Sequence, residues 1–104
     1  MSSSKEYLYF VLEQLSATDS VSYKSMMGEY IIYYKGRIIG GIYDDRFLVK
    51  NTVSARKLMP SAPTEIPYPT GKPMLLVEDI ENKELLRQLF EAMFDELPNS
   101  KRKQ

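Results

Sequence analysis

Between Glu29 and Lys50 the chain reads EYIIYY-KG-RIIGGIY-DD-RFLVK, and its two-residue separators constrain the fold more than any other feature. Lys35-Gly36 and Asp44-Asp45 leave no room for a crossover, so the runs they part must be antiparallel neighbours joined by tight turns. The runs are rich in Ile, Tyr, Phe and Val, which suit a half-buried pleated surface. VSYKSMM, from Val21, reads as a preceding strand interrupted at Gly28. The result is a four-strand meander.

Gly40 and Gly41 lie inside one of these runs. Glycine weakens a strand by about 0.5–1 kcal/mol relative to alanine, so a pair of them marks a bulge, a bend or a close approach to the backbone. Successive strand residues point to opposite faces, and the pair therefore removes a side chain from each. On one face the gap is expected to admit a helix. On the other it leaves room for a large neighbour such as Tyr33, Tyr43 or Phe47.

Helical periodicity brackets the meander. Ser3 and Glu6 have the spacing of a capping box, ahead of a stripe at Leu8, Val11, Leu12 and Leu15. NTVSARKLM reads as a short helix capped by Asn51 or Thr52. From Pro60 to Pro73 come five of the chain's six prolines, a stiff, non-helical connection. MLLV is one more buried strand. A long helix then ends at Pro98, with Leu86, Leu89, Phe90, Met93 and Leu97 in its stripe and Leu85 and Phe94 widening it. The order α-β-β-β-β-α-β-α predicts an α+β two-layer sandwich: an antiparallel sheet of four meander strands plus one, covered by helices. All of residues 1–104 form one domain, with 98–104 a frayed basic tail.

Composition limits the chemistry. The chain has no histidine and no cysteine, which removes the usual general base, the usual transition-metal ligands, thiolate nucleophiles and disulfides. Fourteen basic and fourteen acidic residues cancel, so no global field favours nucleic acid or an anionic membrane. No apolar run reaches the length of a membrane span, and MSSSKEY is not a signal peptide. A cytoplasmic, cofactor-free, metal-free domain is expected.

The carboxylates do not make an active site. Asp44-Asp45 reads as turn chemistry, while Glu78, Asp79 and Glu81 lead into the last helix. Neither cluster has a nucleophile and base beside it. PTGKP lacks the spacing and the Ser/Thr of a phosphate loop. For partners, eight tyrosines and six methionines point to protein contact, with Tyr33, Tyr34, Tyr43, Leu85 and Phe94 the candidate contacts. The alternative is direct nucleic-acid binding by a basic, tyrosine-bearing sheet face through Arg37, Arg46 and Lys50. An unpaired sheet edge and the wide stripe of the last helix predict a homodimer about a two-fold axis, with Phe94 and the tyrosines near Tyr33 in contact.

The segment YKSMMGEYIIYYKGRIIGGIYDDRFLVK resembles the N-terminal domain of the TfoX/Sxy competence-regulator family. Met26-Met27-Gly28 matches the opening of that family's hairpin, Gly36 its turn, Gly40 to Tyr43 the inner strand and Phe47 to Lys50 the last one. PYPTGKPMLLVED and the closing helix extend the likeness over about Lys5 to Leu97. Gly28, Gly36, Gly40 and Gly41 are structural in this pattern. The resemblance implies a two-layer α+β domain like that of secretion chaperones and, in the longer members, a link to transcriptional control of competence genes; a non-enzymatic interaction domain of this type is expected. Longer members carry a second, C-terminal domain and a Met-Phe-Gly-Gly where this chain has Met26-Met27-Gly28-Glu29, so the chain reads as a short, stand-alone member.

Overall fold

In the computed structural model, which describes residues 3–69 and 71–98, three two-residue turns set the sheet. Strand β1 (Val21–Met26) turns at Met27-Gly28 into β2 (Glu29–Tyr34). Lys35-Gly36 leads into β3 (Arg37–Ile42), and Asp44-Asp45 joins Tyr43 to Arg46 ahead of β4 (Phe47–Lys50). Both central residues of every turn have positive φ: 53° and 85°, 53° and 83°, then 54° and 55°. That is the type I′ geometry, whose twist matches that of the strands it joins. Glycine and aspartate tolerate it, but Met27 does not gain by it. Met27 is 95% exposed and has no packing to lose. Met27→Asn should therefore stabilise the fold by about 1 kcal/mol, read as a higher thermal midpoint.

Helix α1 (Lys5–Gln14) precedes the meander and α2 (Val53–Leu58) follows it. Strands β5 (Thr64–Glu65) and β6 (Met74–Leu76) lead to α3 (Lys83–Met93), which runs into a 3₁₀ turn at Phe94–Glu96. The sheet order is β1-β2-β3-β4-β6-β5, and every pairing is antiparallel. The α+β layering and element order are those expected, with one strand more. Prolines already hold the connecting segment extended, and between Pro63 and Pro67 it adds two residues to the outside of β6.

One face of the sheet carries the core. Tyr30, Ile32 and Tyr34 of β2 lie with Ile42, Phe47, Val49, Leu75 and Val77 against Leu8 and Val11 of α1, Leu15 at its C-cap, and Leu86, Leu89, Phe90 and Met93 of α3. The predicted stripes of both helices are buried throughout except Leu12, which is half-buried. The caps differ in detail. Thr52 caps α2, but Ser4 rather than Ser3 caps α1, accepting from Tyr7 N–H at 3.1 Å.

The paired glycines answer to a bulge. Ile32 pairs with Gly40 and Tyr33 with Ile38, so Ile39 is the extra residue, and it points into the core. The distortion turns the Cα–Cβ direction of Gly40 toward β4. A Cβ there would overlap the Leu48 carbonyl oxygen and lie 2.8 Å from Val49 Cα. The close approach is thus a neighbouring strand, not the helix expected. At Gly41 the expected large neighbour is present. The Tyr43 ring lies where a Cβ would be, 2.7 Å away, with the Tyr30 carbonyl oxygen equally near.

Candidate functional site

The Asp44-Asp45 turn is a clamp on the start of α1. Ser3 is buried, and its hydroxyl donates to Glu29 Oε1 at 2.7 Å and accepts from Asp45 N–H at 3.1 Å. Glu29 also accepts from Asp44 N–H at 3.1 Å, and Asp45 Oδ1 accepts from Ser4 N–H at 2.9 Å. The Glu29 and Asp45 carboxylates thus hold backbone donors, as short polar side chains at turns commonly do. Glu78, Asp79 and Glu81 are exposed, and Asn82, the cap of α3, donates to Asp79 at 3.1 Å. No group of three or more His, Cys, Asp or Glu among the described residues is placed to hold a metal ion.

Arg37, a candidate nucleic-acid contact, is turned inward. Its Nη1 donates to the carbonyls of Phe94 at 3.0 Å and Leu97 at 3.3 Å, and the guanidinium stacks 4.2 Å from the Phe94 ring centre. It therefore caps the C-terminal end of α3, where unpaired carbonyls and the helix dipole favour a cation. Tyr34 and Phe94, both candidate partner contacts, belong to the same clamp. Tyr34 is only 2% exposed and meets Phe90 and Phe94 edge-on at 5.5 and 5.8 Å. Tyr34 is core rather than contact surface, because its phenol ring fills the gap between β2 and α3. Phe94 is partly buried under Arg37 and Lys35.

Arg46 is also committed: it donates to the Tyr43 carbonyl at 3.1 Å and forms an ion pair with Glu65. Lys50 is half-buried and lines a cleft of about 570 Å³ with Tyr43, Tyr68 and Lys72. Tyr43 and Tyr68 pack at 6.1 Å, which docks the proline-rich segment onto the face of the sheet away from the helices. Burial first, then the neighbouring Tyr68 and Glu29, raises the Tyr43 phenol above its ordinary value, so it stays a hydrogen-bond donor at neutral pH. Leu85 lies elsewhere, in a cleft with Leu58, Met59, Glu78 and Asp79. Tyr33 is half-buried opposite Ile38. The fold does not gather Tyr33, Tyr43, Leu85 and Phe94 into one patch. Nor does it leave Arg37 and Arg46 free to track a phosphate backbone. The basic tail, Lys101 to Lys103, lies outside the described residues.

The surface that stands open is β1. Val21 is half-buried, and Ser22 through Met26 are exposed on both faces. Residues flanking a two-residue turn exchange both hydrogen bonds, so Met26, Lys24 and Ser22 bond inward to Glu29, Ile31 and Tyr33. The bond from Lys35 N–H to the Ser20 carbonyl at 2.9 Å continues this alternation. Val21, Tyr23 and Ser25 must then direct their N–H and C=O groups away from the sheet. Beside this edge runs a groove of about 510 Å³ between α1 and β1, lined by Leu12, Leu15, Thr18, Val21, Ser22 and Tyr23. Thr18 is 7% exposed, and its hydroxyl has no hydrogen-bond partner among the described residues. A buried polar group left unpaired costs about 1–3 kcal/mol, which a partner would relieve.

The sequence offered one sign of this edge that its strand pattern alone did not resolve. Ser22, Lys24 and Ser25 put polar residues on both faces of β1, as only a strand exposed on both sides allows.

The chain matches no family model. It is 29% identical over 80 residues to a protein of Spirochaeta aurantia described as an uncharacterized 12.7 kDa protein in the trpE 5′ region, covering 77% of this chain and 70% of that protein. No solved structure matches it. Among the described residues no helix is long and apolar enough to cross a membrane.

Proposed function

We propose that this chain is a cytoplasmic, non-enzymatic regulatory domain that works by contacting protein partners or a second copy of itself. The observation that carries this reading is the open β1 edge, with exposed Tyr23, Met26 and Met27 along it and the groove of Thr18 beside it. Edge strands with free backbone groups are templates for another strand, and aromatic and Met side chains are enriched where proteins meet. The inward commitment of Arg37 and Arg46 weighs against the nucleic-acid alternative. A part in the transcription of competence genes rests on the resemblance to the TfoX/Sxy N-terminal domain alone.

The test is capture from an extract of the native cell, with and without nuclease, using the wild-type chain and Ser25→Pro. Proline at position 25 removes an outward N–H and leaves the ladder to β2 intact. Nuclease-resistant protein capture that Ser25→Pro loses is the expected outcome. Capture abolished by nuclease and indifferent to Ser25→Pro would overturn the reading.

A further inference from the structure

The two edges of the sheet are treated differently. The β5 edge is two residues long and lies between Pro63 and Pro67, so it offers almost nothing to pair with. The β1 edge is six residues long with no proline and no bulge, and Lys24 is its one charge. A strand left in this state is complementary to another strand, and its sequence is complementary to itself.

We infer that β1 pairs antiparallel with β1 of a second copy, about a two-fold axis through Tyr23. This names the partner within the interaction reading above and rests on it. The register follows from the alternation of bonds. Outward groups belong to Val21, Tyr23 and Ser25, and an antiparallel pairing must place outward residues opposite outward residues. Setting Tyr23 against Tyr23 also sets Val21 against Ser25 and Ser25 against Val21. All of the outward groups then find partners. Shifting the axis to any other position leaves at least one of them unmatched. In this register Lys24 faces Ser22 of the second copy, so no like charges are opposed.

Side chains agree with the backbone. Tyr23 shares the core face with Tyr30, whose ring it meets edge-on at 6.1 Å. Directly paired residues point to the same face, so Tyr23 of the second copy arrives on the groove side of the sheet. There it brings a ring and a hydroxyl to the groove that holds the unpartnered Thr18. The two sheets become one continuous sheet, and the same patch is used twice, as a closed dimer requires.

The chain has no cysteine, so a single introduced thiol reports its own neighbourhood. Tyr23→Cys should cross-link to a covalent dimer with a short bis-maleimide. Met27→Cys should not, because in this register its two copies are separated by about 25 Å of strand. In light scattering of the wild-type chain over a tenfold dilution series, mass should fall from twice 12.1 kDa toward 12.1 kDa. Ser25→Pro should weaken the dimer at least about tenfold. If that variant does not fold, the cross-linking pair still decides the register. A steady mass near 12.1 kDa at high micromolar concentration overturns self-pairing, as does cross-linking at position 27 equal to that at 23. A monomer that still captures a foreign protein through β1 would sink this inference and leave the interaction reading standing.

Discussion

Gly40→Ala is expected to destabilise the protein by at least about 3 kcal/mol, more than overpacking usually costs. A methyl group added to a core normally meets side chains that shift. Here it meets the Leu48 carbonyl and Val49 Cα, which belong to the backbone of β4 and are fixed by pairing on both sides. Relief requires the two strands to part at the bulge, where Ile39 enters the core. Gly41→Ala should cost less, about 1–3 kcal/mol, because the Tyr43 ring can swing away even though the Tyr30 carbonyl cannot. Denaturant unfolding of both variants checks the order. Equal midpoints for Gly40→Ala and the wild type would remove the bulge from the account.

Arg37→Ala is expected to cost about 2–3 kcal/mol, although the side chain is only partly buried. It would lose two charge-assisted hydrogen bonds to the end of α3 and its stacking on Phe94. The Phe94 and Leu97 carbonyls would be left to water. Arg37→Lys should recover only part of the loss, since an ammonium cannot both stack and reach two carbonyls from a planar group. Thermal melts of the two variants give the comparison, and an Arg37→Ala midpoint within a degree of wild type would contradict the clamp. The result also bears on nucleic-acid assays. Reversing this charge would disturb the fold first, so Lys50 is the better probe of any binding.

Much of the fold was legible because local rules decide it. Two-residue separators dictate hairpins, and stripes such as Leu86-Leu89-Phe90-Met93 dictate which side of a helix is buried. The glycine pair announced a bulge, but not that a neighbouring strand would be the near neighbour, because a bulge rotates the Cβ direction out of its regular alternation. The site was much less legible. Phe94 lies 57 residues beyond Arg37 and further still from Tyr34, so nothing local links it to that pair. Their contact depends on how α3 crosses the β2–β3 hairpin, which no local pattern specifies. The Ser3–Glu6 spacing reads locally as a cap, while Glu29 and Asp45 claim the Ser3 hydroxyl from across the fold.

The sheet order places β6 beside β4, and that neighbourhood weighs on the unfolded chain. Within the meander, the residues that bond across each turn have only two residues between them. Lys50 must find Met74 across the whole intervening segment. Closing so long a loop costs about 2 kcal/mol more entropy than closing a tight turn. The five prolines between Pro60 and Pro73 act on that same term. Each narrows the conformations open to the denatured chain, by about 0.4–1 kcal/mol where the folded backbone accepts it. Together they offset the longer closure. The stiffness of this segment thus does its stabilising before folding begins, by limiting how far the C-terminal third of the chain can stray from β4.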